Sequence, residues 1–169
     1  MSPRHWKIYI PIKPKAVQSV RGGQGNFFPD AKVKKWKAAI LPYIKAGCKA
    51  PPSKLPIKAT GLRYYFKIPK SAPDSVREII ARGGLVPYLA AADITDNLSK
   101  GVIDMCRGYV FVDDRQIWWC DALMKLYGLQ EHMELEFQET PDVFMVTGKL
   151  AKDAYVGEDS ISGDGEGPF

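Results

Sequence analysis

The sequence predicts a single α+β domain, in which helices pack against a small mixed β-sheet. Residues 57–68 and residues 132–137 alternate apolar and polar side chains, which is typical of strands with one buried face. Residues 31–46 instead repeat apolar side chains at helical spacing. No series of alternating strands and helices is evident, so we do not expect a largely parallel sheet. A chain of 169 residues with 46% apolar content is sufficient for one hydrophobic core.

The same two periodicities divide the rest of the chain into short elements. Pro42 should bend the first helix or end it early, because proline lacks the backbone N–H that a helix interior needs. Asp74 or Ser75 suits the N-cap of the second helix. The predicted strands are residues 6–12, 57–68, 109–112, 116–127 and 132–137, and the predicted helices are residues 31–46, 74–82 and about 96–107.

The C-terminal residues lack any such pattern. After a weak strand signal at residues 143–146, residues 151–169 are rich in glycine, serine and acidic side chains without periodicity. A segment of that composition buries too little apolar surface to fold. We therefore expect a domain over residues 1–150 and a disordered acidic tail over residues 151–169.

Composition also restricts where the protein works. No apolar run approaches the roughly 18 residues needed to cross a bilayer, and the N-terminus lacks the apolar stretch of a secretion signal. Cys48, Cys106 and Cys120 are odd in number and share no metal-binding spacing, so neither a disulfide framework nor a zinc site is expected. These features favour a soluble, cytoplasmic protein with reduced thiols.

Charge is divided unequally along the chain. Residues 1–92 hold 18 lysines and arginines against 3 acids, a net of +15, and residues 93–169 hold 6 against 16, a net of −10. A strongly basic half favours a polyanionic partner such as nucleic acid. The basic side chains that we expect to contact phosphates lie in the loop after the first strand and on the first helix: Lys13, Lys15, Arg21, Lys34 and Lys35.

The acidic half contains one compact group of functional candidates. Asp93, Asp96 and Lys100 lie within eight positions, and the pair Asp113-Asp114 begins thirteen residues after the lysine. Clustered carboxylates repel one another, and a hard divalent cation bound through oxygen is the usual reason to tolerate this. Taken singly, the same acids are equally explained as helix caps and turn residues.

A fold-back of the chain would bring the candidates together. Thr95 or Asp96 suits the cap of a helix that Gly108 ends, and residues 109–112 suit a strand that returns. A helix of about twelve residues spans roughly 18 Å, and the strand spans nearly as much. The second acidic pair is then expected to lie beside the start of the helix.

These residues form a pattern that resembles the RusA-like Holliday junction resolvases, whose motif is close to D-x-D-N-L-x-K…D…DD-x-Q. This chain has Asp96-Asn97-Leu98-Ser99-Lys100, then Val102-Ile103-Asp104, then Asp113-Asp114-Arg115-Gln116. The resemblance extends over about residues 6–137. It implies a Mg²⁺-dependent, homodimeric endonuclease, also active with Mn²⁺, that cuts four-way DNA junctions. By the same resemblance, Asp96, Lys100 and Asp114 fall on catalytic positions.

The first aspartate of the motif is displaced in this chain. The family has it two places before the Asp-Asn pair, where this chain has Ile94, whereas Asp93 stands three places before that pair. Unless a one-residue bulge between Asp93 and Asp96 compensates, the first metal ligand is missing. Bulges commonly re-aim side chains beside active sites. We therefore expect a bulge that returns Asp93 to the site, with Asp113 as a further candidate ligand.

In the predicted mechanism, the aspartates hold one or two Mg²⁺ ions that polarise the scissile phosphate and activate water. Lys100 would neutralise charge that develops on the phosphate. Two other functions remain open. One is a DNA-junction-binding protein without activity, which the displaced Asp93 would explain. The other is a module that binds single-stranded RNA through Phe27, Phe28 and the lysines. Neither explains why the aspartates and the lysine occur together, so we favour the nuclease.

Overall fold

A computed structural model of the protein describes residues 2–17, 31–90 and 93–143, apart from the side chain of Asp96. These residues form the single α+β domain that the sequence predicts, with a five-stranded mixed sheet and three α-helices. The strands are β1 His5–Ile10, β2 Ile57–Lys67, β3 Ile117–Cys120, β4 Leu123–Gly128 and β5 His132–Glu139, and the helices are α1 Ala31–Gly47, α2 Asp74–Ala81 and α3 Lys100–Cys106.

The sheet has the order β1-β5-β2-β3, and β4 pairs with β2 as well. β5 runs antiparallel to β1 and β2, whereas β3 and β4 both run parallel to β2. The sequence predicts a mixed sheet but not which of its strands pair in parallel. A parallel neighbour needs a long crossover, and the chain between β2 and β3 supplies one that contains α2 and α3. Its helices have only eight and seven residues, too short to show a strand–helix–strand pattern in the sequence.

The core lies between the sheet and the helices α1 and α3. The inward side chains of β2 are those that the alternation predicts, including Leu62, Tyr64 and Phe66. The two helices bury side chains at helical spacing, namely Trp36, Ile40 and Ile44 on α1 and Val102 and Cys106 on α3. Burial raises the pKa of the Cys106 thiol, as expected for a cysteine that packs as an apolar residue.

The first helix continues through Pro42 to its last residue, Gly47, instead of ending early. Pro42 is exposed, while Ile40 and Ile44 on either side of it are fully buried. Burying each of these side chains stabilises the fold by roughly 1.5–3 kcal/mol, which is enough together to offset a cost of about 3 kcal/mol for proline. The second helix also differs slightly from the prediction, because its N-cap is Pro73 and no side chain caps it.

Residues 109–112 do not form the predicted strand. They make a tight turn in which the Gly108 N–H donates to the Phe111 carbonyl (2.7 Å). Gly108 lies in the left-handed region with φ of 80°, as expected of the residue that follows a helix. Phe111 is buried because the turn pairs with Ser53, whose N–H donates to the Val110 carbonyl (2.8 Å). The apolar run at residues 109–112 therefore indicates a buried turn, not a strand.

Residues 116–127 are not one strand either. The chain breaks at Asp121 and Ala122, so that β3 and β4 lie one after the other along the same side of β2. Both residues bond back to β2 backbone, since the Asp121 N–H donates to Ala59 (2.9 Å) and the Leu62 N–H donates to Ala122 (2.8 Å). No helix in the described ranges is long and apolar enough to span a membrane. Residues 144–146 and the tail 151–169 lie outside the described part of the chain.

Candidate active site

The acidic motif begins with a π-helical turn, Ile94–Ser99, that leads directly into α3. The Leu98 N–H donates to the carbonyl of Asp93 (3.1 Å), five residues back, and the Ser99 hydroxyl donates to the Ile94 carbonyl (2.6 Å). A π turn holds one residue more than an α turn, and such turns are frequent at functional sites. The extra residue between Asp93 and the Asp96-Asn97 pair is therefore taken up by a wide helical turn, not by a kink in an extended segment, and the return of Asp93 to a metal site stays a prediction.

Asp93 caps this turn. One of its carboxylate oxygens, Oδ1, accepts hydrogen bonds from the Thr95 N–H (2.8 Å) and the Thr95 hydroxyl (2.7 Å). The predicted caps, Thr95 and Asp96, lie inside the turn instead. Thr95 and Asp96 are inside because the wide π turn starts earlier in the chain than the predicted α-helix, while Leu98 still faces the core. The Asp96 backbone belongs to the turn, and its side chain lies outside the described part of the structure.

The turn is fixed against both the sheet and the loop after β1. Tyr64 of β2 donates from its hydroxyl to Ser99 Oγ (3.2 Å), and both side chains are buried. The Val17 N–H donates to the Asn97 carbonyl (2.8 Å). Val17 also packs against Gly101 so closely that a Cβ there would lie 2.5 Å from Val17 Cγ2. The basic loop is therefore held directly against the acidic motif.

Lys100, the first residue of α3, projects an exposed side chain next to the π turn. It forms no ion pair with any described acidic side chain. Asp104, one turn further along α3, pairs instead with Lys37 of α1 (3.8 Å). The ammonium group of Lys100 is thus available to a negatively charged ligand such as a phosphate.

Asp113 is the N-cap of a 3₁₀ turn, Asp114–Gln116. Its Oδ1 accepts from the Arg115 N–H (3.0 Å), and its Oδ2 lies 3.1 Å from Nη2 of Arg107. Hydrogen bonds from the Arg115 guanidinium and N–H hold the pKa of Asp113 well below its usual range. The carboxylate of Asp113 is therefore ionised and already surrounded by donors.

Gln116 positions this turn, a role that we did not assign from the sequence. Its Oε1 accepts from the Asp113 N–H (2.8 Å), which completes a capping box. Its Nε2 donates to the carbonyls of Ser53 (2.9 Å) and Leu55 (2.7 Å). The side chain is buried, so the acidic pair is tied to the chain just before β2. The spacing of Asp113 and Gln116, three residues apart, is the signal that could have predicted this box.

Asp114 differs from its neighbour in being exposed. No described lysine or arginine forms an ion pair with it. Since its backbone is fixed by the capping box on either side, its carboxylate is presented to solvent from a rigid turn. This is the arrangement expected of a ligand-binding carboxylate.

The described candidate acids of the motif lie at the two ends of α3. Asp113 contacts Arg107, which ends α3, whereas Asp93 precedes the π turn at the other end. The seven residues of α3 alone rise about 10 Å. The predicted return of Asp113-Asp114 to the start of the helix is therefore wrong, because the chain turns tightly after Gly108 instead of running back as a strand.

The candidate DNA-contacting side chains are partly described. Lys13 pairs with Glu131 (3.0 Å), and its carbonyl accepts from the Trp36 indole N–H (2.9 Å), so this part of the loop is packed on α1. Lys34 and Lys35 are exposed on α1, and Lys15 is half-buried in the same loop. Arg21, Phe27 and Phe28 lie outside the described residues.

The donor chemistry of the motif fits magnesium, which prefers carboxylate oxygens. Two donors, Asp93 and Asp114, are exposed and on well-defined turns. Among the described side chains of one chain, however, no three histidines, cysteines or acids lie close enough to hold a metal ion. Asp96 is not among those side chains.

The described residues form a small α+β protein with a mixed sheet, in which the exposed Lys100 and the loop after β1 lie beside the acidic motif. A sequence profile of the family described as endodeoxyribonuclease RusA matches residues 10–138, most of the chain. The protein therefore belongs to the RusA family of endodeoxyribonucleases, which act on DNA, and the resemblance seen in the sequence is confirmed. No curated protein is significantly similar to it.

Proposed function

We propose that this protein is a Mg²⁺-dependent nuclease that resolves four-way DNA junctions in recombination and repair. The observation that carries the proposal is the contrast between Asp113 and Asp114 on one rigid turn. The first carboxylate accepts hydrogen bonds from two arginines, whereas the second is exposed and forms no ion pair with a described lysine or arginine. If Asp113 and Asp114 served only to stabilise the turn, Asp114 would not need to be left exposed.

Asp93, Asp96 and Asp114 are the residues that we propose to hold the metal. A bound Mg²⁺ would polarise the scissile phosphate and lower the pKa of a bound water. The contacts of Asp113 favour a positioning role for it, since a ligand carboxylate would have to give up its hydrogen bonds from Arg107 and Arg115. Asp113 is thus the alternative ligand, to be separated from Asp114 by mutation.

Lys100 is proposed to stabilise the negative charge that develops on the phosphate. A free ammonium group at the start of α3 suits that role, because electrostatic stabilisation is strongest from a preorganised charge. Lys13, Lys15, Arg21, Lys34 and Lys35 are proposed to bind the DNA backbone. The contact between Val17 and Gly101 supports this, since it holds the basic loop beside the acidic motif.

Two copies of the chain are proposed to form each metal site. In one chain, α3 separates Asp114 from the π turn that carries Asp93 and Asp96. A homodimer with a two-fold axis can place the Asp114 of one chain beside the π turn of the other, twice. Two such sites would suit a four-way junction, whose resolution needs two cuts.

The test is cleavage of a synthetic four-way DNA junction by the purified full chain. We expect paired cuts in Mg²⁺ or Mn²⁺, none in EDTA, and little cutting of linear duplex of the same sequence. Asp114→Asn should lose cleavage by several orders of magnitude while it still binds the junction. Tight junction binding without any cleavage by the wild-type chain would instead indicate the non-catalytic binder, and preference for single-stranded RNA would indicate the RNA-binding module.

A further inference from the structure

The chain that leads into the acidic motif is fixed along β4. The Tyr88 N–H donates to the Lys125 carbonyl (2.9 Å), and the Tyr127 N–H donates to the Val86 carbonyl (2.8 Å). The Tyr88 ring also stacks on Phe66 of β2, with 4.0 Å between the ring centroids. These contacts hold the lead-in segment to the sheet as far as Tyr88.

The side chain of Lys125 extends this hold towards the motif. Its Nζ donates to the Ala90 carbonyl (3.0 Å) and lies 5.5 Å from the centroid of the Tyr88 ring. An ammonium group over an aromatic face is attracted by the ring. Ala90 precedes Asp93 by three residues, a stretch of chain that spans at most about 10 Å. Lys125 therefore fixes the backbone just before the π turn.

A neighbouring residue of the sheet fixes the other end of the same turn. Tyr64 of β2 and Lys125 of β4 are opposite each other in the parallel pair. Because side chains alternate between the two faces along each strand, such partners point to the same face. The Tyr64 hydroxyl donates to Ser99, the last residue of the π turn (3.2 Å). One side chain thus holds the approach to the turn, and its neighbour holds the end.

The two positions differ in burial, and this difference explains why one of them is a lysine. Tyr64 is fully buried, whereas Lys125 is half-buried. A lysine can cover apolar rings with its stem and keep its ammonium group at the edge of the core. A methionine of similar length could cover the same rings, but it could not donate to the Ala90 carbonyl.

We propose that Lys125 is a positioning residue of the active site. By holding the Ala90 carbonyl, it sets where the π turn starts and hence where the Asp93 carboxylate lies. A misplacement of about 1 Å can cost 100-fold in rate, so a contact of this kind has a measurable consequence. The inference rests on the proposed function, since it assigns a role in the same site. Lys125 acts through the backbone, whereas Lys100 is proposed to act on the phosphate itself.

The first test is junction cleavage by Lys125→Met at saturating DNA. We expect the rate to fall about 10–100-fold, as is typical when a residue that orients a metal ligand is lost, while junction affinity is unchanged. Lys125→Arg should keep most of the rate, because a guanidinium group can still donate to the carbonyl and stack on Tyr88. Lys67→Met, which removes an exposed lysine at the end of β2, is the matched control and should cut like the wild-type chain.

A second readout needs no cleavage. The Leu98 N–H donates to the Asp93 carbonyl (3.1 Å), so its hydrogen exchange reports how firmly the start of the π turn is held. In Lys125→Met this amide should exchange faster, and Mn²⁺ should bind more weakly in the absence of DNA. Both properties should stay at the wild-type values in Lys125→Arg and Lys67→Met. If Lys125→Met does not fold, Lys125→Gln, which also lacks the ammonium group, takes its place with the same expected results.

Three results would overturn the positioning role. The first is a folded Lys125→Met chain with the wild-type cleavage rate. The second is weaker junction binding at an unchanged rate, which would make Lys125 a DNA contact. The third is a lower rate with unchanged exchange at Leu98, which would mean that Lys125 acts on the reaction directly. If the wild-type chain cuts no junction, the proposed function fails, and the exchange of Leu98 alone decides whether Lys125 fixes the turn.

Discussion

Asp113 and Asp114 are adjacent in sequence, and the residues around them give them different roles. Asp113 is bound by Arg107, Arg115 and its own capping box, so its carboxylate stabilises the turn. Asp114 takes its position from that turn, and its side chain interacts with the Asp113 carboxylate and with the charge of Arg115. The chemistry at Asp114 then depends on how firmly Asp113 and Gln116 hold the backbone.

The two aspartates can be separated by the choice of substitution. Asp113→Asn keeps an oxygen that can cap the turn and should cut junctions at close to the wild-type rate, since asparagine is as good a cap as aspartate. Asp113→Ala should melt at a lower temperature and cut about 10–100-fold more slowly, as is typical when a residue that orients a metal ligand is lost. A fully folded Asp113→Asn chain without activity would show that Asp113 is itself a metal ligand.

Glu139, at the end of β5, provides a test of the fold that needs no cleavage assay. Its side chain is only 6% exposed and accepts from Arg4 Nε (2.8 Å) and Ser53 Oγ (2.6 Å). Burial acts to raise the pKa of Glu139, but these hydrogen bonds outweigh burial, and the pKa is lowered below the ordinary 4.5. The ionised form therefore stabilises the fold.

Glu139→Gln should lower the free energy of unfolding by about 1–3 kcal/mol at neutral pH, because it leaves buried donors poorly paired. Since the folded pKa is lowered, the wild-type advantage is complete above the ordinary value of 4.5 and is lost as the pH falls through the folded value. Urea unfolding at pH 7 and at pH 3 measures this. An equal difference between the two chains at both pH values would contradict the assignment.

At the scale of elements, the π turn Ile94–Ser99 explains how the chain accommodates an aspartate one place too early. The wide turn takes up one residue and lets Leu98 stay in the core, where it is almost fully buried. Hydrogen bonds from Tyr64 to Ser99 and from Val17 to Asn97 fix the turn from two sides. The extra residue between Asp93 and the Asp96-Asn97 pair is thereby accommodated by a local change in helical pitch.

This account predicts that the extra residue is dispensable. Deleting Thr95 gives the spacing D-x-D-N of the family, and the turn should then close as an α-helix with Leu98 still inside. We expect the deletion chain to fold and to cut junctions, whereas Asp93→Asn in either background should be as inactive as Asp96→Asn. Thr95→Ala is the control for loss of the Thr95 hydroxyl alone. An inactive but folded deletion chain would show that the π turn itself is required.

The sequence predicts elements well where one face is buried and the period is regular. β1, β2, β5 and α1 follow from alternation or helical spacing, because each packs one face on the core. It fails where burial comes from distant contacts. Val110 and Phe111 are buried in the core by a turn that pairs with the distant Ser53, and the break at Asp121 depends on a bond to Ala59. No local pattern carries that information.

The candidate site could be chosen from the sequence as a set of residues but not as an arrangement. Asp93, Asp96, Lys100 and Asp114 stand out by type and spacing, and their catalytic roles stay predictions. Their separation by α3 depends on the tight turn at Gly108. That turn keeps Asp113 near Arg107, a contact that the sequence does not reveal. The predicted strand at residues 109–112 would have brought the aspartates together within a single chain.

At the scale of the whole molecule, the separation of Asp114 from the π turn would make assembly part of the chemistry, if the proposed function holds. The basic loop and α1 lie on the side of the acidic motif, so DNA bound there would contact the π turn of one chain. The missing carboxylate would come from the second chain. A chain that cannot dimerise should therefore bind junctions weakly and not cut them.

Mixing two inactive chains tests this central claim most directly. Asp96→Asn and Asp114→Asn should each be inactive alone. In a mixed dimer with shared sites, one site receives both substitutions and the other receives none, so refolding the two chains together should restore cutting of one junction strand in Mg²⁺. If the mixture remains as inactive as either chain alone while mass measurements show mixed dimers, each site belongs to a single chain and the account is wrong.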